Sequence, residues 1–185
     1  EMLRSLVGSE MCIRDRTNFA ALIPSLTAGK LDFISAGMLK TAERSKVVDF
    51  SAPVYAYGEG LIVNADDNTA YPDLQPLKDQ VVGVQAGTVF YDQLNKLGIF
   101  KEIRTYDSIG EMVRDLSLGR IKAAVGDQPV VAYQIRQKLF KGVKLAPDYQ
   151  PTNVGEVCLV VRKGDAQTLE PVSYTHLRAH ETPEH

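Results

Sequence analysis

Two of the three histidines in this 185-residue chain, His176 and His180, are four positions apart in the tail "VSYTHLRAHETPEH". On a helix this spacing places both imidazoles on one face, as in helices that bind zinc. The third histidine, His185, ends the same tail. The first candidate for chemistry is therefore a metal site, provided that the tail belongs to the protein.

The opening stretch "MLRSLVGSEMCIRDR" argues against that, because its DNA can be the antisense of the tail's DNA. Residues 12–15 written as TGT ATA AGA GAC have the reverse complement GTC TCT TAT ACA, which encodes residues 172–175. Fifteen consecutive codons can pair in this way. Protein structure gives no reason for such complementarity, whereas one oligonucleotide read through at both ends of a DNA insert produces it. We interpret residues 1–16 and 171–185 as translated sequencing-adapter DNA and exclude them from functional reasoning.

The remaining residues, 17–170, carry 17 basic and 18 acidic side chains and no histidine. This balance forms no basic stripe, so neither nucleic acid nor an anionic membrane surface is an expected partner. Cys158 is the one cysteine left, so no disulfide is expected. No apolar run approaches the ~18 residues of a membrane span. The length predicts one globular domain or two small lobes, and we expect the natural protein to extend beyond this segment at both ends.

Arg44 and Asp127 are the charged residues with the clearest chemical potential. A guanidinium can donate two parallel hydrogen bonds to a carboxylate, although composition alone favours a solvated Arg44 beside Glu43 and Lys46. Asp127 follows a predicted strand in "GDQP" and precedes a predicted helix. Its carboxylate can accept hydrogen bonds from an ammonium group, or it can cap a helix that has Pro129 in its first turn.

A third candidate is the turn "AGTV", where Gly87, Thr88 and Val89 lead from a predicted strand into a predicted helix. The free N–H groups of a helix N-terminus favour an anion. A plain threonine N-cap at Thr88 without any ligand explains the same residues equally well.

The elements that must position these residues alternate along the chain. Apolar spacing and glycine stops predict helices at 19–28, 89–97, 109–118 and 127–139, and strands at 31–37, 80–85, 102–106, 121–126 and 155–165. Ser108 and Glu111 form a capping box for the third helix. A strand from residue 61 runs into a polar loop. Strands alternating with helices predict a parallel α/β sheet with crossovers.

Two long apolar strands bracket the alternating block, which suits one lobe inserted into another with two hinge segments. We therefore divide the chain into a first-lobe fragment (17–57), a second lobe with hinge strands (58–157) and a return to the first lobe (158–170).

The segment "LIPSLTAGKLDFISAGMLKTAERSKVVDFSAPVY" (22–55) resembles the first-lobe signature of the extracytoplasmic solute-binding proteins of amino-acid ABC transporters, family 3. The stretches "VVGVQAGT", "GRIKAAVGDQP" and "VRKGD" follow in the family's order and spacing. The resemblance covers essentially all of 17–170. It implies a two-lobed periplasmic-binding-protein-like (type II) α/β fold, here truncated at both ends.

The resemblance also implies a set of ligand contacts: Gly37, Leu39, Arg44, Gln85, Gly87, Thr88, Val89 and Asp127. In that family Arg44 would bind the α-carboxylate of a free amino acid and Asp127 its α-ammonium. The turn at Gly87 would grip the same carboxylate from the second lobe, and Gly37 would let the backbone approach the ligand.

Three positions add detail. Gln85 would point into the cleft and tune selectivity. Leu39 departs from the Ser or Thr frequent in similar proteins, so only its backbone can contact the ligand, and its side chain would narrow the pocket or make it more apolar. Lys122 replaces an acid usual in the family, which we interpret as surface variation.

By resemblance, the protein is the substrate-binding subunit of an ABC importer that captures an amino acid or related small zwitterion by hinge closure. Its expected partners are that ligand and a membrane permease, with no nucleic acid. We expect a monomer without metal or cofactor, not an enzyme, placed in the periplasm or held outside the cell by a lipid anchor. The first-lobe loop that would reveal the ligand's side chain precedes Thr17.

Two alternatives share this fold. One is a dehydratase similar to cyclohexadienyl or arogenate dehydratase, which needs an acid in the cleft to protonate a leaving hydroxyl. The other is the sensory domain of a membrane receptor. Fold resemblance does not separate these functions. Against catalysis, residues 17–170 contain no histidine and no G-x-S-x-G elbow.

The adapter interpretation predicts that removing residues 1–16 and 171–185 leaves folding unchanged. Thermal melts of the trimmed and untrimmed chains should give the same melting temperature, and zinc should bind neither chain specifically. A melting temperature several degrees lower after trimming would show that the tails pack against the protein.

Overall fold

Strands and helices alternate in the computed structural model, which describes residues 17–152 and 154–170. The helices are α1 (Leu22–Thr27), α2 (Val89–Leu97), α3 (Ile109–Ser117) and α4 (Gln128–Arg136), and the strands are β1 (Phe33–Ile34), β2 (Val48–Asn64), β3 (Val81–Gln85), β4 (Glu102–Tyr106), β5 (Ala123–Asp127), β6 (Val143–Leu145) and β7 (Val154–Arg162). Residues 166–170 are also helical. No helix in this part of the chain is both long and apolar enough to span a membrane. The histidine tail and Cys12 lie outside the described residues.

The larger part of the sheet contains β4, β3, β5 and β2 in that order, with β6 also paired to β2. β3 is parallel to both β4 and β5, which confirms the predicted parallel core. β2 runs antiparallel to both β5 and β6, so the sheet is mixed. Sequence patterns predicted neither the antiparallel pairing of β2 nor the three residues of β6.

This larger part is buried on both faces, because successive side chains of a strand point to opposite sides. On one face, Leu61 and Val63 of β2 pack with Phe90 and Leu94 of α2. On the other face, Ile62 packs in a second cluster that includes α3 and α4. Each fully buried side chain of this kind contributes roughly 1.5–3 kcal/mol. Burial on both faces explains why these strands are continuous apolar runs rather than alternating ones.

The smaller part of the sheet contains β1, β7 and the N-terminal half of β2. Its core is a separate cluster of buried side chains from α1, β1, β2, β7 and the connecting segments: Leu26, Leu31, Ile34, Met38, Val48 and Val160. The predicted helix at 19–28 is present as a short 3₁₀ turn followed by α1. Because β1 has two residues, this cluster contains fewer buried side chains than either cluster of the larger part.

β2 connects the two parts, because it changes partner along its length. It pairs with β7 from Val48 to Gly58 and with β5 from Glu59 onward. The register with β7 shifts on both sides of Pro53. Proline cannot donate to a strand ladder and is therefore found at such irregularities. This interruption explains why the pattern predicted only the C-terminal half of β2.

Glu59, at the point of exchange, is a buried carboxylate that is 2% exposed. Its Oε1 accepts hydrogen bonds from the Tyr149 hydroxyl (2.9 Å), the Thr152 N–H (2.6 Å) and the Thr152 hydroxyl (2.7 Å). Its Oε2 has no hydrogen-bond partner among the described residues. These bonds fix the loop that precedes β7 to the middle of β2.

α4 is shorter than predicted, ending at Arg136 instead of residue 139. Lys138 has a φ of +59°, and this left-handed conformation ends a helix. Leu139, counted as helical from its apolar spacing, is 65% exposed. The Ser108 cap is confirmed, since its hydroxyl accepts a hydrogen bond from the N–H of Glu111.

The division at residues 57 and 157 stays a prediction, and it has a folding consequence. We expect the block from about 60 to about 153 to fold alone, because it has contiguous strand–helix units and a core on each face. Residues 17–57 should not fold alone. Limited proteolysis with mass spectrometry should yield a resistant fragment covering the block. Protection of 17–57 instead would contradict this division.

Candidate functional site

Three segments converge at one edge of the larger sheet. β3 and β5 are parallel, so their carboxyl ends, which lead into Gly87 and Asp127, meet at that edge. The segment after β1, from Gly37 to Arg44, reaches the same edge from the smaller part of the sheet. The predicted contacts thus come from both sides of a cleft.

Arg44 spans the cleft with its guanidinium. Nη1 donates to the carbonyl of Leu39 (2.7 Å) and Nη2 to the carbonyl of Gly87 (2.9 Å). The guanidinium carbon lies 5.9 Å from the centre of the Phe19 ring. A guanidinium has five N–H donors, so these bonds leave capacity for an anion. The solvated surface arginine favoured by composition is therefore not what the structure shows.

Gly87 lies directly against the smaller part of the structure. Its φ is +76°, and a Cβ built there would be 2.7 Å from Cα of Ala20. Glycine is the residue that combines this conformation with such a close approach. The absence of a side chain at Gly87 therefore lets the two sides of the cleft meet.

Asp127 faces Tyr57 and Gly37. The Tyr57 hydroxyl is within hydrogen-bond distance of Asp127 Oδ1 and lies 3.2 Å from the Gly37 carbonyl oxygen. Gly37 has a φ of +52°, and a Cβ there would lie 4.0 Å from Asp127 Oδ2. The Tyr57 ring stacks on Tyr55 with 5.8 Å between centroids. A carboxylate and a carbonyl oxygen thus share one polar pocket.

Burial and neighbouring charges shift the pKa of Arg44, and that of Asp127, in opposite directions. Burial lowers the pKa of Arg44, while Tyr57, Asp92 and Asp127 act to raise it. Burial raises the pKa of Asp127, against the hydrogen bond from Tyr57 and the charge of Arg44. The pKa of Tyr57 is raised, first by burial and then by Asp127, so its hydroxyl stays protonated. Both charges are partly dehydrated, which strengthens their interaction with an opposite charge.

Three helices of the larger part begin directly after a strand end, at Thr88, Ser108 and Asp127. Ser108 caps its helix. The Thr88 hydroxyl instead donates to the carbonyl of Gln85 (2.8 Å). Within the described ranges, neither Thr88 nor Asp127 makes a side-chain cap hydrogen bond. The two N-cap interpretations are therefore not realised, and the helix N-termini at the cleft can face an anion.

The backbone of Leu39 contacts Arg44, and its proposed contact with the ligand stays a prediction. Its carbonyl accepts from Arg44, whereas its side chain packs against Gly155 of β7. Leu39 and Val89, the first residue of α2, also line an adjoining cavity of about 480 Å³ that extends to Glu59. The side chain therefore borders this cavity rather than contacting the charged pair.

Gln85 and Lys122 both have polar partners in the structure, and the role of Gln85 in selectivity stays a prediction. The Gln85 amide donates to the carbonyl of Asp107 (3.3 Å), next to β4. Lys122 Nζ lies 2.6 Å from Asp67 Oδ2, in a surface groove at the opposite ends of the strands. Burial would raise the pKa of Asp67, but hydrogen bonds from Lys122 and Thr69 hold it well below its usual range. Lys122 is thus part of a partly exposed ion pair, and its interpretation as surface variation stays a prediction.

Tyr55 and Tyr57 were not assigned a role from the sequence. Tyr55 is the last residue of the quoted signature, and Tyr57 lies two residues beyond it. Their spacing of two in a strand puts both side chains on one face, and this was the available signal. The bond to Asp127 joins residues 70 positions apart, so local pattern could not reveal it.

Residues 17–152 and 154–170 contain no group of three or more His, Cys, Asp or Glu side chains arranged to hold a metal ion. The buried Cys158 is a free thiol. Burial raises its pKa, which is the environment of an unreactive structural cysteine.

The family model of the bacterial extracellular solute-binding proteins, family 3, matches residues 3–184. The chain belongs to this family. The matched range includes the two terminal segments, so their origin in adapter DNA stays a prediction. Family membership agrees with the resemblance found in the sequence and with the mixed α/β fold.

Individual relatives agree with the family. The chain is 32% identical to a probable histidine-binding protein of Campylobacter jejuni over 142 residues, which are 76% of this chain and 52% of that protein. It resembles the structure of holo ArgBP from T. maritima with a TM-score of 0.80 and 27% identity, covering 90% of this chain and 72% of that one. It also resembles AncCDT-1, an ancestral amino acid-binding protein and precursor of cyclohexadienyl dehydratase. There the TM-score is 0.77, with 30% identity and 89% and 69% coverage.

The chain spans about half to two thirds of the length of the curated relatives it matches. Those solved structures are two-lobed binding proteins. The similarity to holo ArgBP covers 90% of this chain. The fold is therefore that of the family's two-lobed binding proteins.

The contact between Gly87 and Ala20 can be tested with a matched pair of glycines. Gly98 also has a positive φ, +61°, but a Cβ there would have no neighbour within 4 Å. Gly98→Ala should lower the free energy of unfolding by about 1–2 kcal/mol through backbone strain alone. Gly87→Ala should cost a further 1–3 kcal/mol or so, because the Cβ collides with Ala20. Urea denaturation measures both, and equal losses would show that the contact does not form in solution.

Proposed function

We propose that this chain is part of the substrate-binding subunit of an ABC importer, which captures an amino acid or related small zwitterion in the cleft. One geometric observation carries the proposal: Arg44 Nη2 donates to the carbonyl of Gly87 (2.9 Å), just beyond the carboxyl end of β3, and Asp127 lies at the carboxyl end of the neighbouring parallel strand β5. A zwitterion has the complementary pair of charges.

Each ligand group has a chemically suitable partner. The α-carboxylate accepts hydrogen bonds from Arg44 and from the N–H groups at Gly87, Thr88 and Val89, aided by the α2 dipole. The α-ammonium donates to Asp127 and to the Gly37 carbonyl. Because these groups come from both sides, the ligand binds the closed state more tightly than the open one, and this difference in affinity drives closure.

The proposed domain division supports such a motion. Residues 17–57 and 158–170 would belong to one lobe and 58–157 to the other, with β2 and β7 as the hinge strands. Rotation about the exchange point at Glu59 would then separate Arg44 from Asp127.

The wider setting follows from the same proposal. The protein acts outside the cytoplasm as a monomer and delivers its ligand to a membrane permease, without nucleic acid or a cofactor. The names of the relatives make histidine and arginine the first ligands to test. Gln85, together with Leu39, would tune the selectivity for the ligand's side chain.

A dehydratase is the second candidate, favoured by the similarity to AncCDT-1. Such an enzyme needs a protonated acid in the cleft. Asp127, whose pKa is raised by burial, is the described residue that could supply one. We nevertheless favour binding without catalysis, because Asp127 is needed in its ionised form to pair with an ammonium.

The charge pair gives a direct test in the full-length product of the gene. Arg44→Ala and Asp127→Asn should each weaken amino-acid binding by roughly 2–5 kcal/mol, because each leaves a ligand charge unpaired in a dehydrated cleft. Each should also abolish the compaction on binding. Calorimetry measures the affinity and solution scattering the radius of gyration. The double variant should be non-additive, because both residues act through one ligand.

Arg120→Ala and Asp115→Asn are matched controls, since this ion pair (2.9 Å) lies on the surface of the same part of the sheet. Both should leave the affinity unchanged. Unchanged affinity in the Arg44 and Asp127 variants would defeat the proposed cleft. Turnover of a hydroxylated substrate that persists in Arg44→Ala would favour the dehydratase.

A further inference from the structure

Tyr57 occupies a position at the cleft that follows from the register of β2. Glu59 lies directly opposite Asp127 in the antiparallel pair of β2 and β5. Tyr57, two residues earlier, points to the same face of the sheet and is the diagonal neighbour of Asp127. Its side chain is buried, with 7% exposure. The tyrosine therefore lies next to Asp127, on the strand that connects the two parts of the sheet.

The hydroxyl of Tyr57 meets two acceptors but has one proton. It is within reach of both Asp127 Oδ1 and the Gly37 carbonyl. The hydrogen bond to the carboxylate is charge-assisted and is the stronger one, so the proton lies toward Asp127. The Tyr57 oxygen keeps its lone pairs, and Gly37 keeps its carbonyl acceptor. Asp127 Oδ2 lies on the Gly37 side of the carboxylate.

We propose that Tyr57 is a positioning residue, which holds Asp127 so that Oδ2, the Gly37 carbonyl and the Tyr57 oxygen form three acceptors for one unsubstituted ammonium group. An ammonium group on a single carbon has three N–H donors, one for each acceptor. This inference rests on the proposed function and narrows its ligand class. It selects primary α-amino acids and excludes quaternary ammonium solutes, which have no N–H to donate.

The charged and titratable groups around Asp127 define the expected pH effect. Tyr55 and Tyr57 of β2 face it, Glu59 lies opposite it in register, and Arg44 approaches from the other side of the cleft. The Tyr57 hydrogen bond stabilises the ionised carboxylate, so removing it must raise the pKa of Asp127 further. A protonated Asp127 cannot pair with an ammonium. As the pH falls, a variant without the hydroxyl should therefore lose binding at a higher pH than the wild type does.

The test compares Tyr57→Phe with Tyr106→Phe in the full chain. Tyr106 is a matched control because its hydroxyl also donates to a carboxylate, Asp115 Oδ2, at 2.9 Å. Carbon-13 NMR titration of the Asp127 carboxyl, without ligand, should show a higher pKa in Tyr57→Phe and no change in Tyr106→Phe. An unchanged Asp127 pKa in Tyr57→Phe would overturn the proposal, as would an equal shift in both variants.

Binding provides the second readout, with L-arginine and L-histidine as probes. Tyr57→Phe should weaken the tighter of the two by about tenfold at neutral pH, as expected for one hydrogen bond in a charged network. As the pH is lowered, Tyr57→Phe should also lose binding at a higher pH than the wild type does. The Nα-trimethylated form of the same amino acid should bind the wild type at least about tenfold more weakly. Equal binding of both forms would overturn the three-acceptor arrangement.

The two proposals fail in different ways. If wild-type protein binds neither amino acid, the proposed ligands are wrong, but the NMR titration still decides whether Tyr57 controls Asp127. If wild-type protein binds and Tyr57→Phe has the same affinity and pH profile, the proposed function stands and the role of Tyr57 is refuted.

Discussion

The exchange of partners along β2 is the constraint on which the other features of the site depend. One continuous strand is hydrogen-bonded to β7 in its first half and to β5 in its second half. Because the register of β2 and β5 is fixed, Glu59 must lie opposite Asp127 and Tyr57 must lie diagonal to it. The tyrosine that contacts the cleft therefore belongs to the strand that links the two parts of the sheet.

The electrostatics of the cleft reflect partial dehydration balanced by hydrogen bonds. Arg44 donates to two backbone carbonyls, and Asp127 accepts from a phenol. These neutral partners compensate part of the cost of removing each charge from water, yet they leave both charges without a full counterion. A dipolar ligand supplies both counterions at once. Such an arrangement favours a small zwitterion over a simple anion or cation, which would satisfy one charge and leave the other.

The same physical rules give different outcomes at the two ends of the parallel strands. At the carboxyl ends, Thr88 and Asp127 direct their side chains away from the helix starts that they precede. At the opposite ends, Asp67 and Lys122 neutralise each other. The surface groove there has a volume of about 550 Å³, and Asp67 and Lys122 in its lining are already paired. Ligand binding is therefore expected at the carboxyl ends of the strands, where Arg44, Asp127 and the helix N-termini are available to a ligand.

The sequence by itself determined the elements whose signals are local. The glycine stops, the Ser108 cap and the apolar spacing of α2 and α3 act within one or two turns of chain, and the structure confirms those helices. Linked motifs in order also identified the family and pointed to Arg44 and Asp127. Only tertiary structure decided the full length of β2, the pairing of Lys122 with Asp67 and the bond between Tyr57 and Asp127. These depend on which strands lie side by side and in which register, and a register joins residues 55 to 70 positions apart that no local pattern relates.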